Sequence, residues 1–282
     1  MSDFKRGLIV GKFCPLHNGH LLLIERAQAT CETVYIISYT NPEFEGCTPA
    51  RRKAWLREAV PGAKICVVGH DINLEIPANA ASDNIHREFT ANICSEYFKI
   101  VPDAVFTSEA YGDGFADYLS RFFDQAVTHI NVDQARTRKP VSATRIRDDI
   151  FKHREFLPNY VYQDFIQSIL LLGGESTGKS TITKLLAKTF DEPYVEEYGR
   201  TLWEQQNGAL SFDDYMKIAN THIEYEDAAR RQAKRYIFVD TSPLTTLFYG
   251  LEQYGKAAPE LIALTNRRYD HIFLAHPDFP MV

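Results

Sequence analysis

Two stretches of the chain combine glycines, cations and helix-opening residues in patterns suited to holding phosphate. Residues 169–181 read ILLLGGESTGKST, where Gly173, Gly178, Lys179 and Ser180 satisfy G-x-x-x-x-G-K-S/T between an apolar strand and a helix. Backbone N–H groups of such a P-loop cradle phosphates. Lys179 would reach the β and γ oxygens, and Ser180, followed by Thr181, would offer a hydroxyl to Mg²⁺. Residues 7–20 read GLIVGKFCPLHNGH. A buried strand is expected to end at Gly11, a short loop carries Lys12, Phe13 and Pro15, and His17-Asn18-Gly19-His20 opens a helix. Free N–H groups and the dipole at that helix start favour an anion. His17 and His20 stand at i and i+3, so both imidazoles can face one side of the first turn. Gly19 lacks a Cβ where a phosphate would approach the backbone. Taken alone, the same residues also describe a capped helix with two surface histidines.

A second element strengthens the phosphate reading. Residues 141–147 read VSATRIR: Ser142 and Thr144 suit a helix cap, and Arg145 and Arg147 fall in the first turn, where cations oppose the helix dipole. A bound polyphosphate would give those arginines a reason to be there. In the second half, residues 236–240 read YIFVD, an apolar strand ending on Asp240. That is the place of a Mg²⁺-binding carboxylate in P-loop proteins, although an Asp there can also cap a helix. Glu196-Glu197-Tyr198-Gly199-Arg200 supplies two more candidates, Glu197 and Arg200, which can equally be solvated helix charges.

These residues need a scaffold that presents strand ends and helix starts together. Short β-branched runs at residues 8–10, 34–38, 65–68 and 104–107 alternate with helix-like spacing at 20–30, 50–60, 84–97 and 114–123. Such alternation predicts α/β architecture with a parallel sheet covered on both faces. A second series follows: strands at 168–172, 236–239 and 271–274, a helix at 179–190, and a long polar helical stretch within 211–235. Two domains are expected, 1–157 and 158–282, with the boundary where Pro158 breaks a charged helix end. The formal net charge is −6, from 31 Lys and Arg against 37 Asp and Glu, which argues against a general nucleic-acid binder. Five cysteines without CxxC spacing predict buried free thiols in a reducing, cytoplasmic setting. No apolar stretch reaches membrane-spanning length.

Together, GKFCPLHNGH and VSATRIR resemble the HxGH and ISSTxxR motifs of the nucleotidylyltransferase superfamily. The finer resemblance is to the bifunctional nicotinamide mononucleotide adenylyltransferase/ribosylnicotinamide kinase family. It is carried by Arg51-Arg52-Lys53-Ala54-Trp55-Leu56, by Ser108-Glu109-Ala110-Tyr111-Gly112, and by Asp133 and Arg136 ahead of VSATRIR. The resemblance implies a Rossmann-like nucleotidylyltransferase domain followed by a P-loop kinase-type domain; in a departure from that family's pattern, the lid and last elements of the second domain are expected to be absent. It implies attack of the mononucleotide phosphate on the α-phosphorus of ATP, with His17, His20, Lys12 and Arg147 stabilising the triphosphate. Gly11, Phe13, Gly19, Ser142, Thr144 and Arg145 would bind ATP, and Trp55, Arg52, Asp133 and Arg136 the acceptor. Glu197, Arg200 and Asp240 would serve the kinase, with Ser180 and Asp240 on Mg²⁺. Expected partners are ATP, nicotinamide mononucleotide and ribosylnicotinamide, and at most a second copy of the chain, with neither nucleic acid nor membrane. A competing reading makes the chain an adenylyltransferase for another phosphorylated acceptor, its P-loop domain a nucleotide sensor.

Overall fold

A computed structural model describes residues 2–276 except Arg136 and Lys139, and all statements below concern those residues. The chain divides into two compact units, Met1–Asp164 and Phe165–Val282. The division follows Asp164, past the expected Leu157, for a packing reason. Leu157, Val161 and Tyr162 are buried, and the Trp55 indole N–H donates to Asp164 Oδ2 at 2.7 Å, so this segment belongs to the first core.

The first unit runs β1 (Phe4–Gly11), α1 (Asn18–Thr30), β2 (Cys31–Ser38), α2 (Pro49–Ala59), β3 (Lys64–Val67), α3 (Asp83–Asn92), β4 (Ala104–Thr107), α4 (Gly112–Phe123), β5 (Thr128–Asn131), α5 (Ala143–Asp148) and the short α6 (Asn159–Tyr162). The strands form a parallel sheet in the order β3-β2-β1-β4-β5. Leu8, Ile9, Ile36, Ile37 and Val105 are fully buried on it, as parallel strands with both faces covered require. The order reverses between β1 and β4. In open α/β sheets ligands bind in the crevice at such a point, beyond the carboxyl ends of the strands. The expected helix at 84–97 is shorter: α3 ends at Asn92 and one wide π-helical turn, Ile93–Phe98, closes on the left-handed Lys99. Strand β5 reads THIN and gives no apolar run, which is why the sequence pattern misses it.

The second unit runs β6 (Gln167–Gly173), α7 (Lys179–Phe190), β7 (Tyr194–Val195), α8 (Tyr198–Gln205), α9 (Phe212–Gln232), β8 (Tyr236–Asp240), α10 (Pro243–Tyr254), α11 (Pro259–Leu264) and β9 (His271–Ala275). Its parallel sheet has the order β7-β8-β6-β9. The register pairs Leu171 of β6 with Asp240 of β8, so the carboxylate ends its strand beside the start of the glycine-rich loop. No helix is long and apolar enough to cross a membrane, and all five cysteines are buried and free.

Candidate active sites

At the crevice of the first unit lies a cavity of about 540 Å³, within the range of small-molecule sites. Its lining includes Gly11, Lys12, Phe13, His17, Gly19 and His20 from the β1–α1 segment, and Ser142, Thr144 and Arg147 from α5 and its cap. The two motifs, more than a hundred residues apart in sequence, therefore share one cleft.

The histidines are set by a reciprocal cap. His17 is the N-cap of α1, and its Nδ1 accepts from the backbone N–H of Gly19 at 3.1 Å and of His20 at 3.4 Å. The His17 backbone N–H in turn donates to His20 Nδ1 at 3.3 Å. The rings stack with centroids 3.7 Å apart. A nitrogen that accepts from an N–H carries no proton, so in both rings the proton sits on Nε2. Burial, and then the neighbouring His17, push His20 well below its ordinary pKa and keep it neutral. The pair is thus a fixed set of Nε2–H donors rather than a pair of cations. A Cβ on Gly19 would stand 3.0 Å from His17 Cε1, so this glycine makes room for the folded-over imidazole.

Cationic charge comes from Lys12 and Arg147. The Arg147 guanidinium donates to the Cys14 carbonyl at 2.5 Å and to Thr144 Oγ1 at 3.2 Å. It lies 4.0 Å from the Phe44 ring centroid, with the Lys12 ammonium 5.9 Å from the same ring. Burial and the adjacent Arg147 lower the Lys12 pKa. Two cations beside one aromatic ring in a shared cleft form a site that gains from a polyanion.

Other expected residues fall elsewhere. Trp55 is 2% exposed, outside the lining and bonded to Asp164, so it is a core residue and not a stacking platform. Arg52 is fully buried, its guanidinium bound to Glu43 at 2.7 Å, to Ser38 Oγ at 3.0 Å and to the Lys12 carbonyl at 3.4 Å. It anchors the loop that carries Lys12 and reaches no acceptor. Arg145 is exposed over Phe156, away from the lining. Asp133 does line the cavity, with its carboxylate engaged by the backbone of Thr137 and Arg138. Arg136 lies outside the described residues.

The cavity lining also includes aromatic residues outside the two phosphate motifs. Tyr39, at the end of β2, stacks on His86 of α3 with centroids 5.8 Å apart, its hydroxyl 3.2 Å from His86 Nδ1. Tyr111, from the segment 108–112 named above, and Phe115 line the same cavity. The available signal was positional: Tyr39 follows a strand at the carboxyl edge of the sheet, where crevice residues gather.

In the second unit the loop after β6 has the conformation its glycines allow. Gly173 has φ +143 and Gly178 φ +81, with Ser176 at φ +57 between them. A Cβ on Gly173 would stand 2.5 Å from the Ala275 carbonyl, so no other residue fits. Lys179 opens α7 and its ammonium reaches back to the Gly174 carbonyl at 2.5 Å. Asp240 is fully buried. Its Oδ2 accepts from the Tyr194 hydroxyl at 3.3 Å, and its Oδ1 has no hydrogen-bond partner among the described residues. Burial, and then Asp240, raise the Glu197 pKa, while Arg200 and Lys179 oppose the rise. The structure thus brings Lys179, Glu197, Arg200 and Asp240 into one electrostatic cluster.

Comparison with known proteins adds independent similarity. An AAA-domain family matches residues 168–282. Over 98% of the chain and 70% of its own length, the trifunctional NAD biosynthesis/regulator protein NadR of Escherichia coli (strain K12) is 30% identical. A phosphopantetheine adenylyltransferase of Streptococcus suis (strain 05ZYH33) is 46% identical over 22% of the chain and 38% of its own length. A crystal structure of a NadR protein in complex with NAD and AMP-PNP superposes with TM-score 0.69 at 22% identity, over 97% of this chain and 81% of that one.

Proposed function

This chain belongs to the NadR family, and from that premise we propose that it makes NAD by transferring AMP from ATP to nicotinamide mononucleotide, releasing pyrophosphate. The observation that carries the reading of the first unit is the pair of Nε2–H donors beside Lys12 and Arg147 in one cleft. Attack of the acceptor phosphate on the α-phosphorus of ATP needs no enzyme nucleophile. Charge builds on the departing pyrophosphate, and preorganised donors aimed at that charge lower the barrier. His17 and His20 supply neutral donors, and Lys12 and Arg147 supply charge. Ser142 and Thr144 offer hydroxyls at the start of α5, and Phe13 packs on His20 with centroids 4.8 Å apart. The rings of Tyr39, His86 and Tyr111 in the cavity lining suit a flat pyridinium ring, which as a cation is drawn to π faces.

The second unit phosphorylates ribosylnicotinamide with ATP: the 5′-hydroxyl gives its proton to Glu197, whose raised pKa suits a base, and takes the γ-phosphoryl group, leaving ADP. Its product is the acceptor used by the first unit. Mg²⁺ fits this site on one structural ground, the buried Asp240 Oδ1 without a protein partner. Asp240 and the Ser180 hydroxyl would hold the ion, which when bound neutralises phosphate charge. The five free thiols accord with a cytoplasmic setting.

The test is direct. ATP, Mg²⁺ and either nicotinamide mononucleotide or ribosylnicotinamide are mixed with the chain and the products identified by mass. NAD with pyrophosphate is expected from the first mixture, and ADP with nicotinamide mononucleotide, followed by NAD, from the second. Turnover of phosphopantetheine without turnover of nicotinamide mononucleotide would overturn the acceptor assignment.

A further inference from the structure

Helix α3 turns one face to the cavity of the first unit. Asp83, His86, Arg87 and Thr90 all line it, the i, i+3, i+4 and i+7 spacing of a single helical stripe. That stripe carries an aromatic group and an ion pair together. His86 stacks on Tyr39 with centroids 5.8 Å apart. Asp83 Oδ2 accepts from Arg87 Nη2 at 3.1 Å. The guanidinium is held further by Asn84 Oδ1, which accepts from Nη1 at 3.2 Å. Helix α4 also comes close, since a Cβ on Gly114 would stand 3.0 Å from Arg87 Nη2. None of these residues belongs to the phosphate motifs, and chemistry at the α-phosphorus leaves them without a task.

An i,i+4 pair on a solvated helix face adds only slightly to helix stability. This pair lies instead on a cavity lining, beside a ring. Asp83 and His86 are i,i+3 neighbours, about 5–6 Å apart between Cβ atoms, so a ligand ring set against His86 carries its substituent to the pair. The ion pair uses Oδ2 of Asp83, whose side chain is 72% exposed, so the second oxygen is open to a ligand. Arg87 commits one N–H from each terminal nitrogen to its neighbours, out of five donors in a guanidinium. Side by side, the two groups present an acceptor and a donor. A planar primary amide matches them, because its NH2 donates and its C=O accepts. A carboxylate in the same place offers only acceptors and sets its charge against Asp83.

We propose that Asp83 and Arg87 read the carboxamide of the acceptor's pyridine ring: the Asp83 carboxylate accepts from its NH2, the Arg87 guanidinium donates to its C=O, and the mononucleotide with a carboxylate in that position is turned away. Arg87 supplies the donor and Asp83 the discrimination. The inference rests on reading the first unit as an adenylyltransferase for nicotinamide mononucleotide.

The experiment measures steady-state pyrophosphate release by the intact chain at saturating ATP and Mg²⁺, with nicotinamide mononucleotide and with nicotinic acid mononucleotide, its carboxylate counterpart. The parent is expected to favour the amide by at least about a hundredfold in kcat/KM. Asp83→Asn keeps an acceptor oxygen and removes the charge, so that ratio should fall at least about tenfold through a gain with the carboxylate substrate. Arg87→Met removes the donor, so kcat/KM for the amide should fall about tenfold or more, with no gain for the carboxylate substrate. The proposal is overturned if the parent uses the carboxylate substrate as well as the amide or better, or if Arg87→Met keeps the parent's kcat/KM for the amide. It is equally overturned if Asp83→Asn keeps the parent's ratio, including by losing both activities in parallel, which marks a role in helix stability alone. A parent chain that releases pyrophosphate with neither mononucleotide would instead sink the reading of the first unit itself.

Discussion

Replacing Phe44 tests whether the cations of the first unit work because they are braced. Phe44 is not among the residues lining the cavity but braces two that are. Its ring centroid lies 4.0 Å from the Arg147 guanidinium and 5.9 Å from the Lys12 ammonium. The first contact is short and partly desolvated, so it is given about 1–2 kcal/mol. The second lies near the outer limit of the interaction and is given about 0.5 kcal/mol. If the whole of that positioning is lost in the transition state, kcat/KM for AMP transfer falls roughly 10- to 60-fold, at tenfold per ~1.4 kcal/mol. Phe44→Ala and Phe44→Leu are compared by steady-state release of pyrophosphate, with phosphorylation of ribosylnicotinamide as an internal control. Leucine keeps much of the volume and loses the π face, so it should fall nearly as far as alanine. Wild-type kcat/KM in Phe44→Leu, or an equal loss in the phosphorylation control, would refute the bracing argument.

Trp55→Phe removes the indole N–H that serves Asp164; urea unfolding should show the first unit destabilised by about 1–3 kcal/mol, and a raised KM for nicotinamide mononucleotide at unchanged stability would return Trp55 to the acceptor site. Burial and His17 hold the folded-state pKa of His20 below its ordinary value, so below about pH 6.5 the unfolded chain binds the extra proton. Stability due to neutral His20 is therefore complete above about pH 6.5 and lost as pH falls from there, by up to about 1.4 kcal/mol per unit; urea midpoints from pH 7 to 5 should fall less steeply for His20→Asn, and identical slopes would contradict the burial. Gly173→Ala places a Cβ 2.5 Å from the Ala275 carbonyl at φ +143, so P-loop binding of AMP-PNP should weaken at least about tenfold, a result checked by calorimetry and contradicted by unchanged affinity.

What the sequence makes legible follows from how each residue works. The residues of GKFCPLHNGH, VSATRIR and GGESTGKST act through backbone conformation and charge at helix starts, which local spacing encodes. The alternation of apolar strands and helices likewise shows where the two sheets run, failing at the polar β5 and the two-residue β7. Residues that act through a partner distant in sequence leave no such trace. Arg52 is expected to bind the acceptor, yet it is fully buried and held by Ser38 and Glu43. Trp55 on an amphipathic helix fits a core position as well as a stacking one, and only the structure shows an aspartate far along the chain taking its N–H. Thr241, just after Asp240, takes a φ of +67 that its residue type does not announce.

The same distinction predicts how substitutions divide. On the proposed reading, changes at His17, His20 or Lys179 remove a donor or a charge directed at the phosphates and should act on kcat. Changes at Arg52 or Phe44 alter how the Lys12 loop and the Arg147 guanidinium are held. They should therefore act on transition-state affinity and be recoverable by a side chain that restores the same hydrogen bond or face. A positioning residue that no conservative variant could rescue would be one whose role is core packing alone.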